Sequence, residues 1–268
     1  MNRFPPFFET QRRTGRKALS LFLTAGFPSL EDTCRLLPLL QDAGADILEV
    51  GIPFSDPIAD GSVIQHSSEV ALRQGISLGK IFDAIKKLRP NLHIPIVLMG
   101  YANPVYSFGF EKFLQTCAET GIDGAIIPDL SLEEGWEFRK LARQYDIATI
   151  LLVTPTSPPH RIRQIDQEST GFLYCVSLTG VTGSRLDQSD GVAEFLNNVR
   201  GIVSMNPLLA GFGIATPEDA RRVSAYCDGV IVGSALVRLL EVGSGDMLYA
   251  RASEFTRHLR SAIDQKSL

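Results

Sequence analysis

The apolar positions along the chain fall into short runs separated by segments with a helical repeat. Residues 19–24, 47–50, 94–99, 124–127, 148–153, 172–176, 208–210 and 229–232 read as eight strands. These are runs rather than strict alternations, the pattern of parallel strands covered on both faces. A helix opens at Ser29, with Asp32 three positions on. It buries Leu30, Leu36, Leu37 and Leu40 and ends at Gly44. Residues 63–74 and 78–88, split by Gly75, read as two more helices. Further helices are expected at 110–119, stopping at Gly121, at 132–145 behind the capping pair Ser131 and Glu134, and at 161–167. Residues 1–15 form an amphipathic segment whose anchors Phe4, Phe7 and Phe8 could plug the bottom of a barrel.

Eight βα units imply right-handed crossovers between parallel strands. The chain has 268 residues, and a barrel of this type needs ~250. The expected class is therefore α/β, a (β/α)8 TIM barrel with an extra N-terminal helix and a mobile loop after strand six. No shift in composition marks a linker, so residues 1–268 are expected to form one domain. No GxGxxG follows the first strand, which counts against a dinucleotide-binding sheet.

Composition narrows the function without naming it. Net charge is -4 and no basic cluster offers a nucleic-acid footprint. Cys34, Cys117, Cys175 and Cys227 are scattered, as are His66, His93, His160 and His258. That argues against a zinc site or a disulfide framework and for a reducing compartment, expected to be the cytoplasm. Arg12, Arg13, Arg16 and Lys17 before the apolar run 18–25 imitate a secretory signal. The basic residues begin late and no cleavage site follows, so the run reads as a strand. No stretch approaches the ~20 apolar residues of a membrane span.

The candidate chemistry starts at Glu49, an acid among Ile47, Leu48, Val50 and Ile52. Such a carboxyl either pairs with a structural Lys or Arg or holds its proton in a cleft and serves as acid and base. A second acid, Asp60, closes the Pro-, Asp- and Gly-rich loop that follows. In a barrel the site gathers at the C-terminal strand ends. That places Tyr101, Asn103, Pro128, Asp129 and Tyr174 at the same mouth. Two late glycine turns, at 211–219 and 229–234, each follow a strand and open a helix. Thr216, Pro217 and Asp219 cap the first. Turns after strands seven and eight are a frequent phosphate site in barrels. Residues 177–189, hinged by Gly180 and Gly183, read as a lid.

The stretch Leu48-Glu-Val-Gly-Ile-Pro-Phe-Ser-Asp-Pro-Ile-Ala-Asp-Gly61 resembles the signature of the tryptophan synthase alpha chain family. Residues 23–26, 98–104, 127–129, 180–183, 211–214 and 232–234 match it in order. The strand-two signature is highly specific; the glycine turns are shared by many phosphate-binding barrels. The resemblance implies retro-aldol cleavage of indole-3-glycerol phosphate to indole and glyceraldehyde 3-phosphate. It implies that Glu49 handles the proton at indole C3 and that Asp60 holds the indole N–H. Phe22, Tyr101, Ile126 and Phe212 would line the indole pocket, with Tyr174 close by. Gly183, Gly213, Gly233 and Ser234 would bind phosphate, and Thr182 would bring the lid onto Asp60.

By the same resemblance, this chain needs no metal or cofactor. Indole passes to a pyridoxal phosphate-carrying beta chain in an alpha2beta2 heterotetramer. The contact is expected at Pro53, Asp56, Pro57 and the loop 103–108. Ser62 stands where the family usually has proline. Three other readings stay open at this point: a free-standing indole-releasing lyase, a chain acting mainly as activator of its partner, and another phosphosugar barrel.

Overall fold

A computed structural model describes residues 2–176 and 189–265. The elements alternate in the expected order. The N-terminal helix α1 (Phe4–Thr14) precedes β1 (Ala18–Thr24), α2 (Leu30–Asp42), β2 (Ile47–Gly51), α3 (Ser62–Arg73) and α4 (Leu78–Leu88). Then come β3 (Ile96–Met99), α5 (Ala102–Phe108), α6 (Phe110–Thr120), β4 (Gly124–Ile126) and α7 (Trp136–Gln144). Next are β5 (Ala148–Thr149), β6 (Leu151–Val153), α8 (Pro159–Glu168), β7 (Leu173–Val176) and α9 (Ser189–Ile202). The chain ends with β8 (Leu208–Gly211), α10 (Pro217–Ser224), β9 (Gly229–Val232), α11 (Ser234–Leu240) and α12 (Gly245–Asp264).

The strands pair in parallel in the order β5-β4-β3-β2-β1-β9-β8-β7-β6. The two ends of that order are halves of one predicted strand, separated by Ile150 alone. On one side the Ile150 N–H donates to the Ala125 carbonyl at 3.1 Å, continuing the pairing of β5 with β4. On the other side β6 pairs with β7. Strand five therefore hands its hydrogen bonding from one neighbour to the other, and this handover closes the barrel.

Alternate residues of each strand face inward. Ala18, Ile47, Val97, Ile126, Ala148, Ile150, Phe172, Leu209 and Ile231 form the inner cluster, and Phe4 and Phe8 join it from α1. Phe4 stacks on Phe8 at 5.9 Å and meets Phe172 edge-on at 5.8 Å. The N-terminal segment does plug the bottom of the barrel. The outward residues, among them Leu19, Leu21, Leu48, Val50, Leu98 and Val230, form the larger cluster under the helices.

The bottom is also stapled by polar groups. Asp46, Asp123 and Asp228 each precede a strand. Each accepts an amide at the start of a neighbouring strand, from Leu19, Ile96 and Leu208 respectively, at 2.8–2.9 Å. Each also donates its own amide to the carbonyl of that same residue. The Arg260 guanidinium, from α12, bonds Asp46 at 2.6 Å with both side chains nearly buried.

Two expectations need correction. The predicted helix 132–145 starts only at Trp136. The Ser131 and Glu134 pair forms as expected, with the Glu134 amide on Ser131 Oγ at 3.1 Å, but it closes a separate turn. Gly135, a poor helix former, separates that turn from the helix. The expected loop 103–108 is helix α5, because Pro104 falls in a first turn, where its missing N–H costs nothing. The long α12 follows the last strand, and the strand pattern gave no sign of it.

Candidate active site

Glu49 lies in the middle of β2 and is fully buried. Ser20, from β1, donates its Oγ hydrogen to Glu49 Oε1 at 2.6 Å. Glu49 Oε2 has no hydrogen-bond partner among the described residues. Burial pushes the Glu49 carboxyl up to about 7, and the Ser20 hydrogen bond opposes that rise. No lysine or arginine among the described residues acts on it, which removes the structural ion pair as an explanation.

Asp60 sits in the loop after β2, partly exposed. Its amide donates to Pro57 O at 3.1 Å, and its carbonyl accepts from Gln65 Nε2 at 2.8 Å. Burial pushes its carboxyl up to about 6, against a hydrogen bond from Tyr101. Tyr101, just past β3, is buried and accepts the Ala59 amide at 3.0 Å. Its ring lies 5.3 Å from that of Phe54. The tyrosine thus ties the acidic loop to the end of β3.

Tyr174 on β7 completes the group. Its hydroxyl is held far above the ordinary phenol value, first by burial and then by the negative charges of Glu49 and Asp60. Tyr174 on β7 thus senses both acids, Glu49 of β2 and Asp60 of the loop that follows it. Phe22 points inward from β1 and touches two glycines: a Cβ on Gly51 would lie 2.6 Å from its ring, and one on Gly233 would lie 3.4 Å from its Cβ. Ile126, fully buried, ends β4. Phe212 is buried after β8, with its ring 5.8 Å from that of Phe195.

The two glycine turns stand where expected. Gly213 has φ +63°, a left-handed conformation, and a Cβ there would meet nothing within 4 Å. Its backbone is open to a ligand. Gly233 is the N-cap of α11 and Ser234 its first residue. The Thr216 and Asp219 capping box forms in full, with Pro217 at the first helical position. Thr182 and Gly183, and most of the expected lid 177–189, lie outside the described residues.

Asp129 has a local role. It caps α5 by accepting the Ala102 amide at 2.8 Å. Ser20 escaped the sequence reading, while Gly51 and Gly211 were read only as turn glycines and not as partners of Phe22 and Tyr174. The signal for Ser20 was present: it is the one polar residue between Leu19 and Leu21, two positions from Phe22 and so on the same face. The partner of Glu49 could not be read from the chain, because strand register decides it. Among the described residues, no group of three or more His, Cys, Asp or Glu could hold a metal ion, and no helix is long and apolar enough to cross a membrane.

Comparison with known proteins identifies the family. Residues 8–263 match the family described as tryptophan synthase alpha chain. Relatives of that name include one from Pelobacter propionicus, 44% identical over 98% of both chains. One from Geobacter sulfurreducens is 44% identical over 98% of this chain and 99% of its own. The solved tryptophan synthase subunit alpha from Legionella pneumophila superposes with a TM-score of 0.90 at 34% identity, over 98% of this chain and 99% of that one. The matches are to an enzyme subunit and the barrel superposes on it, and the chain belongs to the tryptophan synthase alpha chain family.

Proposed function

We propose that Glu49 and Asp60 divide the proton work of the family's lyase step, the retro-aldol cleavage of indole-3-glycerol phosphate. Glu49, protonated, gives its proton to indole C3, and the ring becomes a cationic indolenine. Asp60, ionised, accepts the ring N–H and stabilises the positive charge. The bond between C3 and the first glycerol carbon then breaks, and its electrons return to the ring. The hydroxyl on that carbon becomes the aldehyde of glyceraldehyde 3-phosphate and returns its proton to Glu49. One proton leaves Glu49 and one comes back, so the site is ready for another turnover.

The observation that carries this reading is the difference in surroundings: Glu49 is fully buried with Oε2 free of partners among the described residues, while Asp60 sits partly exposed in a loop. Burial raises Glu49 to about 7 and Asp60 to about 6, so both carboxyls can exchange protons near neutral pH. Phe22, Tyr101, Ile126, Tyr174 and Phe212 supply an apolar enclosure suited to an indole ring. The backbones of Gly213, Gly233 and Ser234 suit the phosphate; the family resemblance adds Thr182 and Gly183, which lie outside the described residues. One barrel domain carries the whole reaction.

The family works with a beta chain. In our reading that partner holds pyridoxal phosphate, receives indole in an alpha2beta2 assembly and makes tryptophan in the cytoplasm. Exposed apolar side chains at the expected contact support this, with Ile58 81% and Tyr106 72% exposed beside Pro57 and within α5. The test is indole release from indole-3-glycerol phosphate by the purified chain, with and without a beta chain. Slow release that the partner raises greatly is expected. Absence of release in both cases would remove the role given to Glu49.

A further inference from the structure

Ser20 is buried completely on the inner face of β1, and its hydroxyl has one partner among the described residues, Glu49 Oε1 at 2.6 Å. The Ser20 hydroxyl donates in this bond, the one direction open to it when Glu49 is ionised. The consequence is an asymmetry within the Glu49 carboxyl. Oε1 is committed to an acceptor role, and Oε2 alone is left to carry a proton.

The register explains how the pair meets. Ser20 pairs with Ile47 and Phe22 with Glu49, so Ser20 and Phe22 flank the carboxyl on the same face of the neighbouring strand. Phe22 contributes a ring and Ser20 the only hydroxyl. The titratable group facing the carboxyl from another element is Tyr174 on β7, which also feels the charge of Asp60 in the loop after β2. Tyr174 stays a neutral phenol at working pH, so no counter-ion acts on the carboxyl among the described residues.

We propose that Ser20 is a positioning residue for the cleavage reaction: its hydrogen bond selects the Glu49 rotamer and reserves Oε2 as the proton-carrying oxygen. The inference rests on the proposed role of Glu49 and adds to it a second residue that never touches the substrate. It also assigns Ser20 a limit on how far burial raises the proton affinity of Glu49. A hydrogen bond to the charged form favours that form. Without Ser20 the carboxyl would hold its proton more tightly and give it up less readily to indole C3.

The test uses the full chain and the variants Ser20→Ala and Ser20→Thr. For Ser20→Ala we expect kcat to fall about tenfold with KM changed less than twofold. The basic limb of the kcat–pH profile should move up by about one pH unit, since a charged-group hydrogen bond is lost. Ser20→Thr keeps a hydroxyl and should restore the wild-type limb. A direct carboxyl titration by 13C NMR, with Glu49 assigned through Glu49→Gln, should show the same upward movement without substrate. A merely structural serine would lower the melting temperature and leave limb and titration in place. An unmoved limb, or a rise in kcat, overturns the proposal. Failure of the wild-type chain to release indole would overturn the role of Glu49 instead, and the NMR titration would still decide whether Ser20 governs its proton.

Discussion

Tyr174 on β7 fills the space that a side chain on Gly211 of β8 would need. A Cβ at Gly211 would lie 2.7 Å from both the hydroxyl and the ring edge of Tyr174. The strands are neighbours, with Tyr174 paired to Leu209 and Val176 to Gly211. Gly211→Ala must therefore move the phenol, which faces Glu49 and Asp60. Overpacking of this kind costs about 1–3 kcal/mol. The expected outcome is a modest fall in melting temperature with at least a tenfold loss of kcat/KM for indole release. Thermal melts beside steady-state kinetics check it; full activity would show that Tyr174 can leave its place without consequence.

Glu49 makes folding stability depend on pH in a defined direction. Its folded value is about 7 against an ordinary 4.5. The folded chain thus holds a proton that the unfolded chain releases. The contribution is fully present below pH 4.5 and is lost as pH rises through 7. The gap corresponds to about 3 kcal/mol. Glu49→Gln, which has no carboxyl to ionise, should be less sensitive to pH between 5 and 8 than the parent. Denaturant unfolding across that range measures this directly. The same variant should fold normally and lose indole release by about a thousandfold.

The two carboxyls also define a rate profile. Asp60 must be ionised and Glu49 protonated, so kcat/KM should rise through about 6, where Asp60 titrates, and fall through about 7. The substrate phosphate titrates near 6 as well. Residual activity of Asp60→Asn separates the two: loss of the acid limb assigns it to Asp60, and its survival assigns it to the phosphate.

Away from the site, Arg260 holds α12 to the bottom of the barrel through Asp46, with side chains 9% and 7% exposed. Asp46 keeps a second partner in Arg16 and accepts the Leu19 amide. Arg260→Leu leaves that buried carboxyl with a single, half-exposed counter-ion, Arg16 at 3.2 Å. Breaking a buried pair from one side costs about 3–5 kcal/mol. Equilibrium unfolding should show a loss of that order with kcat unchanged, because neither residue reaches the C-terminal mouth.

Much of this molecule could be read from the order of residues alone. Strand runs, capping pairs and closing glycines are local, and a period of 2 or 3.6 is visible along the chain. They were enough to predict a closed barrel, the capping box at Thr216 and the plug formed by Phe4 and Phe8. The strand-two signature was enough to single out Glu49 and Asp60 and to suggest the family. Boundaries were lost where two local signals competed, as at Ser131, whose capping bonds close a turn before Gly135 instead of starting the helix.

The tertiary structure decided what depends on register and closure. The break at Ile150, the aspartate staples under the barrel and the contact of Tyr174 with Gly211 join residues that are far apart or ambiguous along the chain. So does the bond between Ser20 and Glu49, separated by 29 positions. A carboxyl's proton affinity is set by what surrounds it once water is excluded. The sequence could place an acid in an apolar strand. Only the folded barrel determined that a serine, rather than a lysine or arginine, meets it there.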